Sequence, residues 1–433
     1  MAEAPTRFIS SGRKDGAAVD LLNRTFEDAA RRGASDVHFD DTDDGQTLIR
    51  FRIGGLLEDI EKIDRQLMLM CDSKIRAFCQ LSLQERMIPL DGRMFIDVDG
   101  GMVDMRVSIM PSRTGQSIVC RLLDQKNAAR TLQSVEMTDE VRFALDEVLK
   151  EPNGLVVTSG PTGSGKTSTL YAMLNALNTP EVNIITVEDP VEYRLDRATQ
   201  VQVSEKLSFA MALRSTLRQD PDIILVGEIR DAETARIAVE AAMTGHLVLA
   251  TTHANDTSTT LTRLVDLGVD PFTLGAVLRA GLAQRLAPRL CECCVRPHEL
   301  TRLEQDWLQD FAPEHAAAQF YTADGCDACD HKGSKGRLPV FEMVVGDHEV
   351  RLAVQKNSRA DMIAAAHRQP QFETLIEAGL RLAVAGQISL HEARRLSSNI
   401  DRSTQRTGTV PSASLVSSGH AASSTVVHLE AAA

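Results

Sequence analysis

The sequence predicts an α/β protein: a parallel sheet built around a phosphate-binding loop, preceded by a small α+β domain and interrupted by a cysteine-rich module. Three observations carry this. Gly160-Pro161-Thr162-Gly163-Ser164-Gly165-Lys166-Thr167 has a Gly, four residues, then Gly-Lys-Thr. From about Ser134, apolar runs alternate with helix-period stretches, the pattern of a parallel sheet. Cys291-Glu292-Cys293-Cys294 and Cys326-Asp327-Ala328-Cys329 supply Cys-x-x-Cys pairs.

Composition bounds the function. The chain has 433 residues, enough for two or three cored domains. Charged residues are 25% and hydrophobic residues 43%, ordinary for a globular protein. A net charge of −13 argues against a broad nucleic-acid footprint, so no nucleic-acid partner is expected. No run is long and apolar enough to span a bilayer, and the first twenty residues lack a signal-peptide core. A cytoplasmic location is expected, with peripheral docking on a membrane complex still open. Eight cysteines in a chain of this size do not suggest a secreted disulfide scaffold.

The elements follow in order. Residues 1–16 read as a flexible N-terminus, and the first domain as 17–124. Residues 17–32 are an amphipathic helix with Val19, Leu22 and Phe26 on one face, ended by Gly33. Short strands follow at 37–39 and 48–53, with Gly54-Gly55 as a hairpin turn into 56–60. Residues 65–81 read as helix. Segments 95–99 and 103–107 alternate apolar and polar residues around Gly100-Gly101, a second hairpin. Residues 118–123 are a further strand, and 125–133 a polar linker. In the region 134–402, strands are expected at 155–159, 184–187, 223–226 and 247–251, with helices at 167–177, 208–217 and 232–243. The cysteine-rich module spans 288–337, and residues 348–397 read as helical. The last stretch, 403–433, is rich in Ser, Thr and Ala and reads as a disordered tail.

The loop's chemistry follows from its residue types. Glycines let successive N–H groups turn toward phosphate oxygens, and the following helix presents its positive end to them. Lys166 can reach the β- and γ-phosphates, and the Thr167 hydroxyl can ligate Mg²⁺, with Ser168 beside it. Two apolar strands end in acid: 184–187 runs into Glu188-Asp189-Pro190, and 223–226 into Gly227-Glu228. The second resembles a Walker B strand whose usual terminal Asp is replaced by Gly227-Glu228, and a Glu there can still reach Mg²⁺. His253 follows the strand at 247–251, on the edge where strand ends gather a site. It is suited to sensing the γ-phosphate; His246 stands at the opposite end.

Choosing Cys291 and Cys294 with Cys326 and Cys329 gives the two knuckles of a tetrahedral structural zinc site, Zn²⁺ being the expected metal. Cys293 is surplus and could replace either member of the first pair. Cys71, Cys79 and Cys120 lie in apolar elements and read as small core residues.

With these residues in hand, the chain resembles the motor ATPases of type II secretion and type IV pilus assembly. The phosphate loop, residues 185–193, residues 217–231 and residues 244–256 carry the likeness; the last three look like the family's Asp box, Walker B block and His box. Ala34-Ser35-Asp36-Val37-His38 resembles the opening of its N-terminal domain. The resemblance implies a RecA-like ATPase domain and a PAS-like N-terminal domain that closes over ATP. It implies that Glu188 polarises the attacking water and that Glu228 acts at Mg²⁺. Arg93 and Arg106 fall where the family places N-domain arginines that reach the nucleotide. Arg214 and Arg218 match an arginine pair preceding the Walker B strand. The implied assembly is a homo-oligomer, a hexamer, working through an inner-membrane platform protein.

Three departures stand out. Gly54-Gly55 replaces a common Asp-Gly turn, and Gly115-Gln116-Ser117 replaces Gly-Glu-Arg. The first domain begins almost at once, so the long N-terminal docking region of many secretion ATPases is expected to be missing. Two other motors compete with assembly. Retraction and conjugation motors of the same superfamily generally lack the two-knuckle module, which favours assembly. A DNA-translocating RecA-like ATPase would need a clustered basic, aromatic-bearing loop that the sequence does not show.

Overall fold

A computed structural model describes residues 16–98, 101–124 and 131–397. The stretches read as a flexible N-terminus (to residue 15), as linker (125–130) and as a disordered tail (403–433), with Asp99 and Gly100 of the second hairpin, lie outside the described residues. Among those described, no helix is long and apolar enough to cross a membrane.

The N-terminal elements are α1 (Gly16–Arg31), β1 (Ala34–Asp41), β2 (Gln46–Ile53), β3 (Leu56–Asp64), α2 (Arg65–Phe78), β4 (Leu90–Val98), β5 (Gly101–Ser112) and β6 (Gly115–Asp124). The strands form one antiparallel sheet in the order β3-β2-β1-β6-β5-β4. Val19, Leu22 and Phe26 of α1 are buried because their spacing puts them on one helix face, and Phe26 meets the Phe39 ring edge-on at 6.1 Å. Each such side chain contributes about 1.5–3 kcal/mol on burial. Cys71, Cys79 and Cys120 are buried here, as the apolar context predicts, and burial pushes the Cys71 and Cys79 thiols up to about 12.

The following region contains α3 (Asp139–Val148), β7 (Gly154–Ser159), α4 (Lys166–Leu177), β8 (Ile184–Glu188), β9 (Ala198–Gln202), α5 (Phe209–Thr216), β10 (Ile223–Val226), α6 (Ala232–Met243) and β11 (Leu247–Thr252). Next come α7 (Thr257–Asp266), α8 (Pro271–Val277), β12 (Leu278–Leu290), β13 (Val295–His298), α9 (Arg302–Phe311), β14 (Phe320–Ala323) and β15 (Ser334–Val345). The helices α10 (His348–Gln355), α11 (Arg359–Ala366), α12 (Leu375–Val384) and α13 (Leu390–Ser397) complete the described chain. The large sheet has the order β15-β12-β7-β11-β10-β8-β9, parallel except for β15. Its four predicted strands are all present. Each is fully buried, which explains their unbroken apolar runs. Separate apolar clusters cover its two faces.

The structure adds to the sequence reading. The 348–397 stretch is four capped helices, with Asp347, Ser358 and Thr374 as N-caps of the first three. Leu132, read as linker, is buried in the core. Strands β9, β12 and β15 had no counterpart among the expected strands. In β12, Gln284 and Arg285 interrupt the apolar pattern yet are buried, Arg285 donating to the Gln284 and Asn255 carbonyls, so period alone does not reveal them. The β12–β15 pair extends beyond the sheet and carries the cysteine module, where β13 and β14 form a two-stranded sheet of their own.

Candidate functional site

Parallel register brings the carboxyl ends of four strands to one edge. Val226 of β10 pairs with Val187 and Ala250, and Thr252 of β11 pairs with Ser159 of β7. The phosphate loop leaves β7 at this edge and enters α4, with Gly165 as its N-cap in the left-handed region at φ 90°. Thr162–Ser168, Glu188, Glu228 and His253 all line one cavity of about 1500 Å³. That cavity also reaches Arg31, Ser35 and Leu122 of the N-terminal elements.

Lys166 donates from Nζ to the carbonyls of Gly160 (2.6 Å) and Pro161 (3.2 Å). Burial holds its ammonium below the ordinary lysine value, and Glu228 opposes that shift. His253 stands between two acceptors: Nδ1 lies 3.1 Å from the Gly160 carbonyl oxygen, and Nε2 lies 3.1 Å from Glu228 Oε1. Glu228 Oε2 accepts from Arg230 at 2.6 Å. Burial pushes the Glu228 carboxyl up, but the Arg230 hydrogen bond and the charges of Arg230, His253 and Lys166 outweigh it and leave it below the usual range. The Gly227 departure has a steric cause. A Cβ there would lie 3.0 Å from the Val187 carbonyl oxygen, to which the Gly227 N–H donates at 2.7 Å.

Glu188 is almost wholly buried. Its carboxylate accepts from Thr186 Oγ1 (2.6 Å), Tyr171 Oη (2.7 Å) and, more weakly, Gln200 Nε2 (3.4 Å). Burial outweighs these donors and raises its carboxyl above the ordinary value. Half-buried Glu192, four residues on, lines the same cavity, and its charge acts on Glu188, Lys166 and Arg106.

The predicted arginines separate. Arg106 crosses from the N-terminal sheet and donates to the Val191 carbonyl, in the loop after β8. Arg93 stays within its own sheet, held by Asp104 at 2.8 and 3.0 Å and lying over the Phe95 ring. Arg214 pairs with Glu233, and Arg218 donates to the Arg214 carbonyl at 2.8 Å. None of these four arginines lines the cavity. His246 is anchored locally on the Ala241 carbonyl oxygen at 2.9 Å. Sequence reading passed over Arg230, Tyr171, Glu192 and Gln284. Arg230 was within reach, standing two residues beyond Glu228 in the Walker B block. The others depend on which side chains the fold turns inward.

The residues suit the expected ions. Thr167 and Glu228 present oxygen donors to one cavity, as Mg²⁺ requires. The sulfurs of Cys291, Cys294, Cys326 and Cys329 all lie within 4.8 Å of one another. Three pairs are 3.8–3.9 Å apart, close to the ~3.8 Å edge of a tetrahedron with Zn–S bonds of about 2.3 Å. The backbone N–H groups of Cys326 and Gly333 donate to Cys329 Sγ at 3.3 Å. Cys293 is exposed and lies outside this cluster. The module also touches the N-terminal sheet, where Lys332 pairs with Glu58.

A model of the family described as "Type II/IV secretion system protein" matches residues 12–395. The chain is 40% identical over 390 residues to "Type II secretion system protein E" of Dickeya dadantii, covering 90% of this chain and 77% of the relative. It is 39% identical over 385 residues to "Type II secretion system ATPase E" of Vibrio cholerae, covering 88% and 76%. Among solved structures, the pilus retraction motor PilT with bound ADP aligns with a TM-score of 0.62 and 25% identity, over 87% of this chain and 96% of that one. The Legionella pneumophila ATPase DotB aligns with a TM-score of 0.66 and 22% identity, over 92% and 98%, which is a likeness of fold. On the family match over most of its length and on relatives near 40% identity, the chain belongs to the type II/IV secretion system protein family.

Proposed function

We propose that the chain is a motor ATPase that couples hydrolysis of ATP to ADP and phosphate to assembly of a type II secretion pseudopilus or type IV pilus. One observation carries this reading: Lys166, Glu188, Glu228 and His253, from four separate segments, line one cavity beside the phosphate loop. The relatives' names supply the secretion context. In this reading the loop N–H groups and Lys166 grip the phosphates, while Thr167 and Glu228 hold Mg²⁺. The bound ion would neutralise phosphate charge during transfer. Glu188, with its raised carboxyl, takes the role of polarising the water. His253 bridges the loop to Glu228 and would register loss of the γ-phosphate.

The N-terminal sheet is the proposed PAS-like domain, with domain limits at 17–124 and 134–402. It would close over ATP, with Arg106 contributing to a shared grip. None of Arg93, Arg106, Arg214 and Arg218 lines this cavity; they would reach a nucleotide only on domain closure or across a boundary between subunits, as a hexameric ring allows. The proposed setting is the cytoplasmic face of the inner membrane, on a platform protein, with no nucleic acid. Zinc would fix the surface module: four thiolates leave no open position for water. The alternative is a retraction or conjugation-type motor, which the PilT likeness keeps in view. Mg²⁺-dependent ATPase assays, with and without DNA, test the enzyme. Complementation of strains lacking the assembly or the retraction ATPase separates the two motors: rescue of the assembly strain alone is expected, and rescue of the retraction strain alone would reverse the assignment.

A further inference from the structure

Gln284 of β12 is 2% exposed and lines the nucleotide cavity. It lies against both ends of the phosphate loop. A Cβ at Gly160 would lie 2.5 Å from the Gln284 carbonyl oxygen and 2.5 Å from Ser164 Oγ. A Cβ at Gly165 would lie 2.7 Å from Gln284 Nε2. Both glycines have positive φ, and at Gly160 the Gln284 carbonyl oxygen would by itself exclude a side chain.

Two polar atoms at this contact are open. Gln284 Oε1 and Ser164 Oγ are buried and have no hydrogen-bond partner among the described residues. Ser164 is 3% exposed. One atom is an acceptor and the other belongs to a hydroxyl that can donate. Buried polar groups are seldom left unsatisfied, and two such exceptions side by side at a binding cavity call for an explanation.

We infer that Gln284 is a positioning residue for the bound nucleotide: as the loop closes on phosphate, the Ser164 hydroxyl donates to Gln284 Oε1 and holds the loop shut. The inference rests on the ATP-binding reading above. The rest of the strand fits this role. Arg285, the next residue, donates to the Asn255 carbonyl at 2.9 Å, in the turn after His253. Lys166 and His253 both meet the Gly160 carbonyl oxygen. Strand β12 thus braces the phosphate loop and the His253 turn together. Glu342 on β15 secures the same turn from the other side, accepting from Thr257 N (2.8 Å) and Thr257 Oγ1 (2.6 Å).

The test is a double-mutant cycle in the full chain with Ser164→Ala, Gln284→Leu and the pair, reading ADP and ATP affinity, kcat and melting temperature. Each single substitution should weaken nucleotide binding about five- to tenfold, the worth of one hydrogen bond. The double should be no weaker than either single, because both remove the same bond. Melting of the unliganded protein should move by less than about 2 °C, while the upshift on adding ADP shrinks. Gln284→Met also removes the amide acceptor at similar volume, so it serves in place of Gln284→Leu if that variant does not fold. Losses that multiply in the double overturn the inference. So does a Gln284→Leu protein that melts lower without nucleotide yet binds ADP normally, which is a structural role. A wild-type protein that neither binds nor hydrolyses ATP overturns the motor reading instead.

Discussion

The hydroxyl of Tyr171 donates a 2.7 Å hydrogen bond to Glu188 Oε2, joining the helix that starts at the phosphate loop to the strand end beside it. Tyr171 is itself buried, and burial with the Glu188 charge pushes its phenol far above the ordinary value, so it remains a donor. The acid of this site is therefore oriented by the helix whose first turn would face the phosphates. A shift of that helix would be felt at Glu188.

Glu188→Gln is expected to keep ATP affinity within about threefold and to lower kcat by roughly 10²–10³-fold, since it removes the base and leaves the loop intact. Single-turnover assays with a nucleotide-binding titration check this. Glu192→Gln is the comparison, because Glu192 lines the same cavity. A larger loss there would move the role of base to Glu192. Tyr171→Phe should lower kcat by about tenfold without changing ADP affinity.

Lys166→Ala is expected to abolish turnover and to weaken ATP binding. Its ammonium is already poised on the Gly160 and Pro161 carbonyls at the mouth of the loop. Equilibrium binding and steady-state rates measure both effects. Turnover retained within about tenfold would remove Lys166 from the phosphate grip.

Arg106→Ala should reduce turnover at least tenfold while changing ADP affinity less than about threefold. Its guanidinium bridges two sheets through the Val191 carbonyl, a contact suited to a closed state rather than to gripping ADP itself. Equal losses of ADP and ATP affinity would mean that it holds only the ground state.

One zinc per chain is expected, lost on substituting Cys326 and Cys329 together with Ser and kept in Cys293→Ser. Elemental analysis of purified variants reads this directly. The Cys326/Cys329 variant should also melt lower, because the knuckles join β12 to β15 at the base of the module.

The pH dependence of Glu228 has a definite sign. Its carboxyl lies below the ordinary 4.5, with the Arg230 hydrogen bond and nearby positive charges outweighing burial. Its contribution to stability is therefore full above that value and is lost as pH falls through the lowered one. Glu228→Gln should narrow its melting-temperature deficit against wild type as the pH drops below about 4.5. A deficit that stays unchanged in acid would contradict the arrangement.

The sequence by itself determined the α/β class, the phosphate loop, the buried parallel strands and the two cysteine knuckles. These depend on local spacing or on unbroken apolar runs, which survive without knowledge of neighbours. Glu228 and His253 were also legible, because a parallel strand delivers whatever follows it to one edge of the sheet. Tertiary structure decided the rest. It tied Arg93 to Asp104 and sent Arg106 alone across to the loop after β8. It brought the Cys294 sulfur, and not that of Cys293, within reach of the second knuckle. It also buried Gln284, Arg285 and Glu342, whose polarity hides β12 and β15 from any hydrophobic period. Arg285 and Glu342 are held there by hydrogen-bonding groups supplied from distant segments, and no local pattern records a partner that only folding brings near.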